Sequence, residues 1–299
     1  MIMLNKIFRL CLVIIFCFYF QPILTVQANP SVSADQAILI NQETGEILFE
    51  KNANQQQLIA SITKIMTAII AIESTSLSEM VKVPQQATLT EGSSIYLEAG
   101  EQIPLEDLIY GLMLRSGNDA AMSIAEHVGE SVEGFVFLMN EKAKWLGMDN
   151  THFDNPHGLD SETHYSSAKD MANLMRYAML DKQFRKITGA KSYRSSTRTY
   201  DWVNKNKLLT SYYEDAIGGK TGYTRAAGRT FVSVAERDGI QLIAVTINDP
   251  NDWQDHMSLY NWGFDKLNQQ ETLSPLIDNS EGDYFNQVLD ILTSLVGLS

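Results

Sequence analysis

Residues 58–73 read LIASITKIMTAIIAIE, an apolar helical run whose head carries a serine, Ser61, and a lysine, Lys64. Ile62, Ile65, Ile69 and Ile72 fall at spacings of 3, 4 and 3, so they share one helix face, and that face is expected to join the core. Ser61 and Lys64 are three residues apart and point into the same space, which sets an ammonium at the edge of apolar surface. Burial disfavours the charged form and lowers a lysine pKa. A lysine so treated can serve as a base, and a serine hydroxyl is a poor nucleophile until a base takes its proton. Taken alone, Ser-x-x-Lys also recurs by chance and carries little weight.

On the N-terminal side of this run, QAILINQETGEILFEKN (36–52) alternates apolar and polar residues around Glu43-Thr44-Gly45 and predicts a hairpin. On its C-terminal side, Pro104 to Leu180 is mostly helical in pattern. LEDLIYGLML and DAAMSIAEHV flank the turn RSGN, FVFLMNEKAKWLGM is a third amphipathic stretch, and Ser167 with Asp170 gives a capping signal before MANLMRYAML. From Tyr193 the texture becomes strand-like, in SYRSSTRTYDWVN, AIGGKTGYT, RTFVSVAERDG and IQLIAVTIND, and DWQDHMSLYNWGFDKL closes the region as a helix. The order predicts an α/β (α+β) fold: an antiparallel sheet flanked by helices (about 32–85 and 190–270), interrupted by an all-helical subdomain (about 86–189). The two parts would share a cleft.

The chain has 299 residues, 44% hydrophobic and 20% charged, which predicts a globular protein with a sizeable core. Its first 28 residues have the layout of a secretory signal peptide: Lys6 and Arg9, an apolar stretch from Leu10 to Phe20, and a small-residue site at Val26-Gln27-Ala28. Gln21-Pro22 ends the apolar stretch well short of the roughly 20 residues a spanning helix needs. Cleavage after Ala28 would remove both cysteines, Cys11 and Cys17, excluding a disulfide framework, a thiol nucleophile and thiolate metal sites. It would also remove two cations, taking the formal charge from −13 to −15 and disfavouring nucleic acid or anionic lipid as partner. The tail, 271–299, carries a helical stripe of Phe285, Val288, Leu289, Leu292, Leu295 and Val296. The stripe fits a helix docked on protein or one lying on a membrane, and its lack of Lys and Arg weakens the membrane reading.

Two further motifs follow Ser61-x-x-Lys64 in order: Ser116-Gly117-Asn118, between two predicted helices, and Lys220-Thr221-Gly222, in a glycine-flanked strand. The ordered triplet is the signature of penicillin-interacting serine enzymes. With NPHGLD, HYSSAKDMA, NKNKLL, GGKTGYTRAAGRTFVSVA and NWGF beside it, the chain from about 32 to 270 resembles the low-molecular-mass penicillin-binding proteins of the serine-type D-alanyl-D-alanine carboxypeptidase family. The resemblance implies a β-lactamase/DD-peptidase-like fold over 29–270 and a catalytic set of Ser61, Lys64, Ser116 and Asn118. Ser61 would attack the substrate carbonyl, Lys64 accept its proton, Ser116 relay a proton to the leaving amine and Asn118 fix the substrate amide. Lys220 would depress the pKa of Lys64, and Thr221 would grip the terminal carboxylate. The N–H groups of Ser61 and Tyr223 would form the oxyanion hole, with Gly219 and Gly222 letting substrate lie close.

The substrate so implied is the D-Ala-D-Ala end of peptidoglycan stem peptides, outside the cytoplasm, with β-lactams as covalent inhibitors and no metal or organic cofactor. The family's basic residue at the substrate carboxylate has no obvious counterpart, because NDPNDWQDH (248–256) is acidic where a basic stretch is expected; Arg225, Arg229 and His256 are the candidates. Four other chemistries fit less well. Gly-x-Ser-x-Gly and a phosphate-loop glycine pattern are absent, and Asp154, His157, Asp160 and His164 form a conceivable metal cluster among residues expected at loops and surfaces. A class A β-lactamase would carry Ser-Asp-Asn and a deacylating glutamate, whereas GMDNTHFDNPHG offers only Asp149 and Asp154. A non-catalytic wall-binding module is the remaining alternative.

Overall fold

The computed structural model describes residues 28–278. The leader through residue 27 and the apolar stripe at 285–296 lie outside the described residues. Pro30–Phe264 form one compact unit, and of the other, Met1–Asn29 with Asp265–Ser299, the described part is residues 28–29 and the helical 265–278.

The predicted hairpin forms from β1 (Gln36–Asn41) and β2 (Ile47–Lys51). The Asn41 side chain accepts from the N–H groups of Glu43 and Thr44 at 2.9 and 3.1 Å, and Gly45 supplies the left-handed φ of +75° that the turn requires. A 3-10 turn, Ala60–Thr63, leads into α1 (Lys64–Ser74). The helical layer follows: β3 (Met80–Lys82), β4 (Gln102–Pro104), α2 (Leu105–Tyr110) running on as a π-helical turn (Gly111–Arg115), α3 (Asn118–Gly129), α4 (Val132–Trp145), α5 (Ala168–Ala178) and α6 (Lys182–Thr188). Ser167 caps α5 as predicted, its Oγ accepting from the Asp170 N–H at 3.1 Å. The chain ends in β5 (Ser192–Arg194), β6 (Asp201–Val203), β7 (Ala216–Thr224), β8 (Gly228–Arg237), β9 (Ile240–Ile247) and α7 (Asp252–Asp278).

The main sheet has the order β2-β1-β9-β8-β7 with every neighbour antiparallel. Its first strand therefore sits beside its last, and β7 is left at the edge. One face buries Ile38, Val232, Val245 and Ile247 in a common core with α1. On the other, α7 comes so near that a Cβ on Gly263 would lie 2.6 Å from Leu39 Cδ2 and 2.9 Å from Leu242 Cδ1. With both faces covered, β9 is buried from Leu242 to Ile247.

The run around α1 departs from the one-sided stripe. Ile62, Ile65 and Ile69 are buried and Ile72 is half-buried, but Lys64 through Ala71 are all buried, because α3, α4 and α5 pack on the side that the sheet does not. A helix apolar all round is a central one. β3, β5 and β6 fall within the expected sheet ranges and β4 within the expected helical one, yet the ribbons β3/β4 and β5/β6 pair only within themselves among the described residues. β5 is held to the helical layer instead: the Tyr193 ring stacks on Tyr110 at 3.6 Å between centroids and its hydroxyl donates to Asp107 at 2.5 Å. α6 was not anticipated, being only seven residues, capped by Asp181 accepting from the Gln183 and Phe184 N–H groups.

Candidate active site

The serine and the lysine of the opening run do not lie on one regular helix. Ser61 is in the 3-10 turn and half-exposed, and Lys64 is the first residue of α1 and fully buried. The turn is held in place from outside. Thr230 Oγ1 on β8 donates to the Ile59 carbonyl at 2.9 Å, and Ala60, just before the serine, takes a φ of +49°, strained for a residue with a Cβ. Lys64 Nζ reaches three oxygens: Ser61 Oγ at 3.1 Å, Asn118 Oδ1 at 2.8 Å and the His157 carbonyl at 2.5 Å.

Ser116 and Asn118 come from the junction of α2 and α3. The π-helical turn ends in Ser116 with φ 64° and ψ 33°, a left-handed residue that breaks the helix and aims its side chain into the cleft. Asn118 opens α3, and its Nδ2 donates to the Glu91 carbonyl at 2.5 Å, which fixes the amide with Oδ1 toward Lys64. Asp119 beside it accepts from Ser94 Oγ at 2.6 Å and from the N–H groups of Ile95 and Leu97 at 3.1 Å, holding the loop that carries Ser93 into the cleft.

β7 is the third wall. Lys220 is buried, and its Nζ donates to Ser116 Oγ at 3.1 Å and to the Thr221 carbonyl at 2.7 Å. Thr221, Gly222 and the exposed Tyr223 line the cleft with Ser61 and Ser116, in a space of about 300 Å3. The protein itself also requires glycine at this strand. A Cβ on Gly222 would meet Thr230 Oγ1 at 2.4 Å and the Ser61 nitrogen at 2.8 Å, and one on Gly219 would meet the β8 backbone at 2.5 Å.

Sequence reasoning missed Lys205, which lines the cleft and donates to Ser93 Oγ at 3.1 Å. It stands in NKNKLL with Lys207, and no pattern singles out one lysine of that segment. Its charge matters here. Burial first, then Lys220, then Lys205 hold the Lys64 pKa well below the ordinary lysine value. Burial, then Lys205, bring Lys220 down to about 7.

The structure separates the three candidates for an anion-binding residue. Arg225 is exposed and does not line the cleft. His256 is fully buried between Ser233 Oγ at 2.6 Å and Thr246 Oγ1 at 3.0 Å, and burial lowers its pKa to about 3. Arg229, on β8 opposite Tyr223, does line the cleft. Its Nη2 donates to both Asp252 oxygens at 2.7 and 2.8 Å, its guanidinium lies 5.5 Å from the centre of the Trp253 ring, and its buried Nε meets no partner.

The four residues of the conceivable metal cluster serve separate partners. His157 Nδ1 accepts from the Leu159 N–H, Asp160 accepts from Thr224 Oγ1, and Asp154 accepts from the hydroxyls of Ser161 and Thr163. His164 is buried, against the expectation of a surface or turn position. Asp149 is exposed, and neither it nor Asp154 lines the cleft, where the lining carboxylate among the described residues is the Arg229-bound Asp252.

The sequence profile described as D-alanyl-D-alanine carboxypeptidase matches residues 24–251. D-alanyl-D-alanine carboxypeptidase DacF of Bacillus subtilis is 39% identical over 220 residues, 71% of this chain and 56% of that protein. The DacC enzyme of Escherichia coli is 35% identical over 266 residues, 84% of this chain and 65% of the other, so the chain spans less than two-thirds of the length of either relative. The crystal structure of the D-alanyl-D-alanine carboxypeptidase from Mycobacterium tuberculosis H37Rv superposes with a TM-score of 0.76 at 32% identity, covering 81% of this chain and 94% of that one. Streptomyces K15 DD-transpeptidase gives 0.75 at 31%, covering 80% and 99%. With an antiparallel sheet, a helical layer and the ordered serine–lysine, serine–asparagine and lysine–threonine–glycine motifs meeting in one cleft, this chain belongs to the D-alanyl-D-alanine carboxypeptidase family.

Proposed function

We propose that the protein is a penicillin-sensitive serine DD-carboxypeptidase that removes the terminal D-alanine from peptidoglycan stem peptides through an acyl-enzyme on Ser61. The carrying observation is the set of contacts at Lys64. A neutral amine has two N–H donors and one lone pair. The Asn118 amide oxygen and the His157 carbonyl take the two donors, leaving the lone pair to face Ser61 Oγ at 3.1 Å. In this reading Lys64 takes the hydroxyl proton as Ser61 attacks, and the bond to the terminal D-alanine nitrogen breaks after that nitrogen is protonated. Ser116, bonded to Lys220, passes the proton, since a hydroxyl both accepts and donates.

The N–H groups of Ser61 and Tyr223 receive the oxyanion, and Thr221 binds the substrate carboxylate. Arg229 supplies the positive charge for that carboxylate from β8, with Asp252 fixing the guanidinium through Nη2. Charge-assisted hydrogen bonds of this kind are worth about 1.5–3 kcal/mol. Arg229→Gln is therefore expected to raise the half-saturating peptide concentration at least about tenfold. Among the described residues the cleft offers no unpaired carboxylate to activate a deacylating water, which favours inhibition by penicillin over its rapid hydrolysis. Export behind a leader over residues 1–28 and action outside the cytoplasm, at the cell wall or the outer face of the cytoplasmic membrane, belong to the same proposal. Among the described residues, no helix is long and apolar enough to cross a membrane.

The test uses the full chain with a fluorescent penicillin, a Ser61→Ala control and D-alanine release from a diacyl-D-Ala-D-Ala peptide. A long-lived adduct on Ser61 with D-alanine release is expected. Rapid loss of the adduct would make the protein a β-lactamase, and no adduct would leave the wall-binding module.

A further inference from the structure

The peptide that joins Ala60 to Ser61 faces two ways. Its carbonyl oxygen lies toward Gly158, so close that a Cβ there would stand 2.0 Å away. Its nitrogen, that of Ser61, lies toward Gly222 on β7, where a Cβ would stand 2.8 Å away. No peptide bond among the described residues is cis, so this C=O and N–H are antiparallel in one plane, and whatever holds the first aims the second. The strain at Ala60, with φ +49°, means that this orientation needs holding.

Thr63 Oγ1 donates to the Ala60 carbonyl at 2.8 Å. The same oxygen lies 2.8 Å from His164 Nε2, and His164 Nδ1 lies 3.0 Å from the Asp154 N–H. A backbone N–H can only donate, so Nδ1 is the accepting nitrogen and the ring proton is on Nε2. The Thr63 hydroxyl thus receives from His164 and gives its own proton to Ala60, and it cannot turn around. Phe153 packs edge-on against the imidazole at 5.7 Å between centroids, and burial holds it neutral with its pKa lowered to about 4.

We infer that His164 and Thr63 are positioning residues for the reaction: the relay Asp154 N–H to His164 to Thr63 to the Ala60 carbonyl orients the Ala60–Ser61 peptide so that the Ser61 N–H points at the carbonyl oxygen under attack. Neither side chain touches substrate in this arrangement. The inference rests on the acyl-enzyme reading above, and explains why a histidine is buried behind the nucleophile with both nitrogens spoken for.

The test compares Thr63→Val and Thr63→Ser with the wild type, measuring acylation of Ser61 by fluorescent penicillin over a range of concentrations. Removing a whole oxyanion donor costs about 10²–10³ in rate, so mis-aiming one is expected to cost about 10-fold. The limiting acylation rate should fall about tenfold in Thr63→Val, with the half-saturating concentration unchanged, and Thr63→Ser should restore it. Equal limiting rates in wild type and Thr63→Val would overturn the relay while leaving the acyl-enzyme intact, whereas a wild type that forms no adduct would sink the acyl-enzyme reading itself. Should Thr63→Val fail to fold, nitrogen NMR of the histidine-labelled wild type decides. A neutral His164 protonated at Nε2 supports the relay, and one protonated at Nδ1 overturns it.

Discussion

Inside the cleft, Lys64, Lys220 and Lys205 make no ion pair among the described residues and bond instead to hydroxyls, an amide and carbonyls. Toward the rim and the surface, Arg229, Arg198 and Arg237 each hold a carboxylate, at 2.7, 2.6 and 2.7 Å. The chain has 36 acidic residues against 23 basic, and the two carboxylates near this cleft are bound elsewhere, Asp119 to the Ser94–Leu97 loop and Asp252 to Arg229. Pairing stabilises a cation and leaves it chemically idle. Two buried lysines, with the exposed Lys205 at the mouth of the cleft, repel one another while none is paired with a carboxylate, and the one best placed beside a hydroxyl is relieved of its proton.

The largest expected effect comes from making the charge at position 64 permanent. Lys64→Arg keeps a cation but cannot release a proton, so penicillin labelling of Ser61 should slow by at least about 10³-fold. Labelling at the wild-type rate would break the contrast outright. A smaller effect follows from importing the rim's chemistry. Asn118→Asp sets a carboxylate where an amide oxygen now lies 2.8 Å from Lys64 Nζ, which stabilises the ammonium and should cut acylation at neutral pH by about 10²-fold, with recovery as pH rises. Loss without alkaline recovery would count against a titration effect. Smaller still, Lys205→Met removes one neighbour from both Lys64 and Lys220. Both lysines then hold protons to higher pH, and the acid limb of the acylation profile should move up by about one unit. A downward move would have the wrong sign.

Much of this was legible in the sequence, and the failures have a common cause. The hairpin around Gly45, the Ser167 cap and AIGGKTGYT as β7 follow from local chemistry that tertiary contacts reinforce. The burial of α1 on all sides, the choice of Arg229 over Arg225 and His256, and the place of Lys205 depend on which surfaces meet, and residues far apart in sequence decide that. His164 lies in a loop as expected but is buried and not at the surface, because nothing local says that Thr63, 101 positions away, waits for its proton.

The buried histidines give the mildest test, on stability instead of rate. Burial lowers the pKa of His256 and His157 to about 3 and of His164 to about 4, whereas in the unfolded chain each titrates near 6.5. The unfolded state therefore binds more protons below pH 6.5, and stability that is complete above it is lost as pH falls toward those native values. By pH 5 each histidine is expected to cost about 2 kcal/mol relative to its contribution at high pH, seen as a falling thermal midpoint. A midpoint that stays flat over this fall in pH would mean that these rings accept protons in the native state.

The central claim, that burial beside neighbouring lysines and without an ion-pair partner makes Lys64 a base, is tested most directly by following its ionisation in the intact protein by carbon NMR of labelled lysine, assigned with Lys64→Arg. The account predicts that the Lys64 signal titrates well below the ordinary value of 10.5, apart from the surface lysines. Titration together with those lysines, near 10.5, would contradict it.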